Sequence, residues 1–207
     1  MMKRSSLPKP YQMTREGLFD LYVAKKRSVA QISALYHCSQ NKINYWLMKY
    51  GIAKRTIAEA LYERKNPLGD PFMLKQPMSL EEGILFGMGL GLYWGEGAKR
   101  GTGGVRLTNS DPRLIRKFIE FLEKIFSLDR RKLRFSIQIH DDVSSEEALA
   151  HWMSQLKMSK GQFYKIVVFK KRGKGTYGHR SKYGVVIVYF NNIRLKRIIC
   201  DMIEKIR

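Results

Sequence analysis

The sequence predicts an α+β protein in two parts: an all-helical N-terminal domain, then a larger domain in which helices alternate with the strands of an antiparallel sheet. Three observations predict it. Residues 28–51 hold two short apolar-periodic stretches across a tight turn. Pro67, Gly69, Pro71 and Pro77 then interrupt the pattern. Beyond them the hydrophobic period switches between 3.6 and 2, as in residues 111–126 and then 132–140. The expected divisions are a basic flexible arm over 1–13, a first domain over 14–66, a linker over 67–78 and a second domain over 79–207.

In the first domain, Leu18, Leu21 and Tyr22 fall at i, i+3, i+4. Ser28 followed by Gln31 forms a capping box for a short helix with Ile32 and Leu35 on its apolar face. Tyr36 to Ser39 make the turn. Ser39 caps a second helix that buries Ile43, Trp46 and Leu47 and ends at Gly51. Two short helices across such a turn make a helix-turn-helix. The string resembles the helix-turn-helix of resolvase-like and regulator proteins, with Ile32 and Ala34 where the helices cross. The outward face of the second helix would be Gln40, Asn41, Lys42, Asn44 and Tyr45. Asn and Gln pair in bidentate fashion with adenine in the major groove, and Lys42 suits phosphate or guanine. Residues 54–62 continue as helix.

The second domain opens with Ser79 and Glu82, a capping box for a helix over 80–95. Glycines at 97, 101, 103 and 104 punctuate a hairpin with Gly104–Asn109 as its second strand. Asp111-Pro112 caps a helix to about Phe126, with Leu114, Ile115, Phe118, Phe121, Leu122 and Ile125 inward. Residues 132–140 alternate, placing Leu133, Phe135, Ile137 and Ile139 on one face and Arg134, Ser136, Gln138 and His140 on the other. Ser144 and Glu147 cap a further helix to about Leu156. Two strands follow, 163–169 and 183–190, joined by a basic hairpin loop, and residues 192–207 form a closing helix on Ile193, Leu195, Ile198, Ile199, Met202 and Ile206.

Charge narrows the function. The chain carries 39 Lys and Arg against 18 Asp and Glu, a net of +21, which calls for a polyanionic partner. Both parts share the excess: 13 basic and 4 acidic residues up to position 66, and 26 and 14 thereafter. Two cysteines, Cys38 and Cys200, exclude a disulfide framework or a cysteine zinc site and fit a reducing compartment. No secretory signal and no membrane-length apolar run is visible, so the expected location is cytoplasmic and the expected partner is not a membrane. No small-molecule site is evident. Gly173, Gly175 and Gly178 match a dinucleotide fingerprint but precede a strand, and a loop touching phosphate backbone through Lys171, Arg172 and Lys174 is the better reading. His140, Asp141 and Asp142 read as a strand end and turn.

The run Gly83–Gly97 is unusual. Each glycine costs a helix interior about 1 kcal/mol relative to alanine, yet Gly83, Gly87, Gly91 and Gly95 recur every four residues along one face. Such a face lets a second helix approach closely, and the chain has one such helix, so the partner would be a second copy. Glu96 ends the run. Two copies in parallel would bring two carboxylates together, and paired carboxylates bind a hard cation such as Mg²⁺, which can activate water toward a phosphodiester.

Gly91-Leu92-Tyr93-Trp94-Gly95-Glu96-Gly97 resembles the core Gly-Leu-x-x-x-Asp-Gly of the LAGLIDADG homing endonuclease-like family, over about residues 79–207, with glutamate in place of the usual aspartate. The resemblance implies an αββαββα domain with an antiparallel, saddle-like sheet laid on double-stranded DNA, acting as a homodimer. It implies Glu96 as catalytic and metal-binding residue, with Mg²⁺ as cofactor if cleavage is retained. Basic and polar sheet residues contact DNA in the family; here Lys99, Arg100, Arg106, Arg134, Gln138 and Lys165 are the candidates. The helix at 145–156 and the N-terminal helix-turn-helix depart from the minimal family pattern. The functional expectation is sequence-specific binding of double-stranded DNA. The alternatives are a divalent-metal-dependent endonuclease cutting phosphodiester bonds, and an RNA-binding or splicing-assisting protein.

Overall fold

The computed structural model describes residues 13–77, 79–101, 103–170 and 181–206. Most of the expected arm, together with Lys171, Arg172, Lys174 and the glycines around them, lies outside the described residues. The chain divides between Asp70 and Pro71 into two units, each with its own apolar core.

In the first unit, α1 (Arg15–Phe19) is capped by the Thr14 hydroxyl and runs into one π-helical turn, Asp20–Ala24. α2 (Val29–Leu35) starts at Ser28, which forms a reciprocal capping box with Gln31. α3 (Gln40–Lys49) starts at Ser39, whose hydroxyl accepts the Lys42 N–H. The turn between them needs a left-handed residue, and His37 supplies it at φ +46°. Gly51, at φ +64°, ends α3. Leu18, Tyr22, Ile32, Ile43, Leu47 and Ile52 form the core.

Two expectations are corrected here. α2 turns Ile32 and Ser33 inward, while Ala34 and Leu35 are exposed. The inward set of Val29, Ile32, Ser33 and Tyr36 is the i, i+3, i+4, i+7 stripe of one helix face. Ser33 is tolerated inside because its hydroxyl donates to Ala30 O at 2.8 Å. α4 (Ile57–Lys65) does not begin at residue 54. It starts at Thr56, through a capping box with Glu59, and runs three residues beyond Tyr62.

The second unit is α+β, with the order α5 (Leu80–Glu96), β1 (Val105–Asn109), α6 (Pro112–Phe126), β2 (Arg134–His140), α7 (Ser145–Leu156), β3 (Val167–Phe169), β4 (Val185–Phe190) and α8 (Ile193–Ile206). Its sheet runs β1-β4-β2-β3. Val105, Leu107, Phe135, Ile137, Ile139, Val186, Val188 and Phe190 all face one side, where they share a core with α5, α6, α7 and α8. α6 is the central support: Ile115, Phe118, Ile119, Phe121, Leu122, Ile125 and Phe126 are all buried, and the Asp111 carboxylate caps it by accepting the Arg113 N–H at 2.8 Å.

The sheet is mixed, not antiparallel. β1 pairs with β4, and β4 with β2, in antiparallel fashion, but β2 and β3 are parallel. The cause is α7. A strand–helix–strand connection returns the chain in the same direction, whereas a hairpin reverses it. β3 and β4 therefore do not form a hairpin, because β2 lies between β4 and β3. The hairpin expected before β1 also shrinks, to the single bridge Gly97↔Leu107 with Ala98 N–H donating to Arg106 O at 3.0 Å. The expected linker is shorter as well. Phe72 packs edge-on against Phe126, and Met73 and Lys75 N–H donate to the carbonyls of Phe126 and Ile125.

The glycines of α5 fall into two classes. A Cβ on Gly89 would stand 2.1 Å from the Phe121 ring, while one on Gly83, Gly87, Gly91 or Gly95 would meet nothing within 4 Å. Gly89→Ala should therefore destabilise the unit by about 1–3 kcal/mol through overpacking, whereas Gly83→Ala should be neutral or stabilising by up to about 1 kcal/mol. Urea unfolding of the two variants beside the wild type measures the difference.

Candidate nucleic-acid interface

Three surfaces hold the residues singled out by sequence. The first is α3. Ile43 and Leu47 lock it into the core, and half-buried Trp46 packs beside them. Asn41, Lys42 and Tyr45 then point outward and are exposed, with Gln40 exposed in the first turn. Asn44 is only half-exposed and lines a groove beside the helix instead. Sequence reasoning missed two residues of the outward face. Met48 is 72% exposed, and the Lys49 ammonium sits 4.5 Å from the Trp46 ring centroid and 5.9 Å from that of Tyr45. Both fall on the Asn41–Tyr45 face at helical spacing, a signal present in the sequence but read only as far as Tyr45.

The second surface is the sheet face away from the helices. Strand register sets Arg106, Tyr189 and Arg134 in a row across β1, β4 and β2. The Arg106 guanidinium lies 5.3 Å from the Tyr189 ring centroid, and the Tyr164 ring stands edge-on to Tyr189 at 5.7 Å. Asn191 Nδ2 donates to the Tyr164 hydroxyl at 3.2 Å. Arg134 is held by two backbone acceptors, Arg131 O at 2.7 Å and Leu133 O at 2.8 Å. Gln138 lies further along β2, on the same face, in register with Val185 and Val167. Arg106, Arg134 and Gln138 are thus brought onto one surface, and Lys165 is exposed beside Tyr164. Tyr164, Tyr189 and Asn191 were not foreseen. Tyr189 sits in an unbroken apolar run, and its face is decided by pairing with distant strands.

The third surface is the C-terminal end of α5. Leu85, Gly89, Leu90 and Tyr93 face the core, so Gly83, Gly87, Gly91 and Gly95 lie on the outer side with exposed Leu80, Ile84, Met88 and Trp94. Between Glu82 and Glu96 the helix carries no charged residue. Gly97 is required by close approach, because a Cβ there would meet Tyr93 O at 2.4 Å. Glu96, the last helical residue, is exposed. Lys99 donates to the carbonyls of Trp94 and Gly97, placing a cation at the negative end of the helix dipole. Arg100 is exposed, and its carbonyl, with that of Gly101, accepts from Lys196 Nζ at 2.8 and 2.9 Å.

Among the described residues, no group of three or more His, Cys, Asp or Glu side chains is placed to hold a metal ion. One chain supplies Glu96 as a single carboxylate, and the Trp94 and Gly97 carbonyls beside it are engaged by Lys99. Hard divalent cations take several oxygen ligands, so the residues of one chain do not complete a site for Mg²⁺. The two-carboxylate arrangement needs Glu96 from a second copy. Among the described residues, no helix is long and apolar enough to cross a membrane.

Comparison with protein-family models, with curated proteins and with solved structures found no match.

Tyr93 ties the end of α5 to the core, stacking on Phe118 and donating to Ala98 O at 3.2 Å. Burial, reinforced by the neighbouring Cys200, pushes its phenol from 10.0 up to about 12. The folded state favours the neutral phenol, so this contribution is complete below the unfolded value near 10 and is lost as pH rises toward 12. Denaturant titrations at stepped pH should show wild type losing more stability than Tyr93→Phe across that window, and parallel curves would refute the assignment.

Proposed function

We propose that this chain is a sequence-specific double-stranded DNA-binding protein that acts as a homodimer. α3 reads the major groove, and the open sheet face lies along the duplex. The observation that carries this reading is the outward face of α3. A helix locked by Ile43 and Leu47 presents an amide, two ammonium groups and an aromatic ring on one side, Asn41, Lys42, Lys49 and Tyr45, within a chain of net charge +21. Amides read base edges, while ammonium groups hold phosphates.

The second unit is read as LAGLIDADG-like. Three features support this: the Gly91–Gly97 motif at the end of α5, the outward glycine face of that helix, and the basic row Arg106–Tyr189–Arg134 on a sheet covered by helices on its other side. The parallel β3 and the interposed α7 depart from the αββαββα pattern. Dimerisation would run through the outer face of α5, which is apolar and 56% exposed at Ile84. A second reading, metal-dependent cleavage, follows from the position of Glu96. A dimer built on α5 would add a second Glu96, and the metal's role would be to activate water toward the phosphodiester.

Selection from a randomised duplex pool should yield a preferred site. Asn41→Ala should lower discrimination at one base pair by about tenfold or more while affinity stays salt-dependent; an unchanged preference would remove α3 as the reader. Gly91→Leu should give a folded monomer by light scattering, and a persistent dimer would remove the α5 face. The selected duplex incubated with Mg²⁺ decides the second reading: strand breaks lost in Glu96→Gln support it, and an intact duplex discards it.

A further inference from the structure

The first unit contains a groove of about 900 Å³ that the DNA reading above does not use. It is built by two basic stretches that are far apart in sequence, Lys25-Lys26-Arg27 before α2 and Lys54-Arg55 before α4, with Arg64 on α4. Arg55 holds the two together. Its Nη1 donates to Lys26 O at 2.9 Å, its Nη2 donates to Arg27 O, and its guanidinium lies 4.3 Å from the Tyr22 ring centroid. The Tyr22 hydroxyl in turn accepts the Arg55 N–H at 3.0 Å. Arg55 is therefore occupied in holding the groove, and the other cations are left to line it.

Those cations divide by partner. Lys25 pairs with Asp20 at 2.8 Å, and Lys26 with Glu63 at 3.1 Å. Arg27, Lys54 and Arg64 are exposed and have no carboxylate partner among the described residues. Glu63 is the one acid in the lining among the described residues, and Lys26 neutralises it. The groove also contains Gln31 of α2 and Asn44, the α3 residue that turned away from the outward face. It therefore begins at the flank of the reading helix. A backbone running beside the base edges that α3 reads would pass a groove lined by Asn44 together with the three unpaired cations.

We infer that this groove holds the sugar-phosphate backbone of the same duplex, with Arg27, Lys54 and Arg64 contacting phosphates outside the bases that α3 reads. α4 then serves as a second DNA-contacting element that widens the footprint without adding base readout. The inference rests on the DNA reading. Its ligand class is the phosphodiester chain, since unpaired cations in an open groove suit a repeating anion.

The test compares the full chain with the triple variant R27Q/K54Q/R64Q and with a control triple, K157Q/R197Q/K205Q, on the outer side of the second unit's helices. Binding to the selected duplex is measured over a range of salt concentrations. Removing one cation from a phosphate should reduce the slope of log affinity against log salt by about 0.9, so the groove variant should show a slope smaller by about 2 to 3. Its preference among duplex sequences should not change, and the control triple should keep the wild-type slope. Wild-type binding with an unchanged slope in the groove variant would overturn the inference and leave α3 as reader. An equal drop in both triples would overturn it too, by showing only bulk charge. A groove variant that fails to bind a free nucleoside triphosphate while keeping its DNA slope would overturn it in favour of a small ligand. Failure of the wild type to bind any duplex would remove the DNA reading and this inference together.

Discussion

The second unit depends on the contact between Gly89 and Phe121. Absence of a side chain at Gly89 lets the Phe121 ring occupy the space where a Cβ would be. That contact fixes the rotation of α5 about its own axis. Once Gly89 is inward, Leu85, Leu90 and Tyr93 must follow it, and Gly83, Gly87, Gly91 and Gly95 must lie on the outer side. The same aromatic cluster, Tyr93–Phe118–Phe121–Phe126, carries the constraint along α6 to Phe72. One small residue in the middle of a helix thus determines which face of that helix is left for anything else to touch.

The basic residues do not act as one pool of charge. Arg55, Lys99 and Lys196 each donate to two backbone carbonyls and fix loops. Lys196 is only 4% exposed, and its ammonium holds the turn after α5 from within the fold. A cation bonded to neutral carbonyls keeps its charge and still adds to the long-range field, but its donors are taken and it does not contact a phosphate directly, whereas an exposed, unpaired one does. Sorting cations by their hydrogen-bond partners therefore separates those that build the surface from those that face a ligand, and a net charge of +21 cannot make that distinction.

Local chemistry was legible in the sequence. The caps at Ser28, Ser39 and Asp111, the inward face of α6 and the apolar face of β2 all follow from spacings within one or two turns, and the structure agrees with each, although Ser136 on the opposite face of β2 is buried as well. What escaped was set at a distance. The parallel pairing of β3 depends on where α7 packs, and the row Arg106–Tyr189–Arg134 depends on register among three strands far apart in the chain. Asn44 was assigned outward because its type suits base reading, yet its angle on α3 places it at the flank. At Leu35 the residue type suggested core, but the stripe through Ile32 and Ser33 left it outside.

A protein this basic repels its own copies, so a self-contact has to be placed where it does not bring cations together. The outer face of α5 meets that condition. From Gly83 to Gly95 it presents glycine and apolar side chains only. Like-charge repulsion in water falls off over about 8–10 Å at moderate ionic strength, and a helix is itself about 10 Å across. Charges carried on other elements would therefore be partly screened from one another across such a contact. A duplex bound by both copies would lower the repulsion further, since each phosphate neutralises charge that the subunits would otherwise present to each other. In the proposed dimer, self-association and DNA binding would then be thermodynamically coupled: whatever favours one must favour the other by the same free energy, and pairing of the α5 faces should tighten when DNA is present.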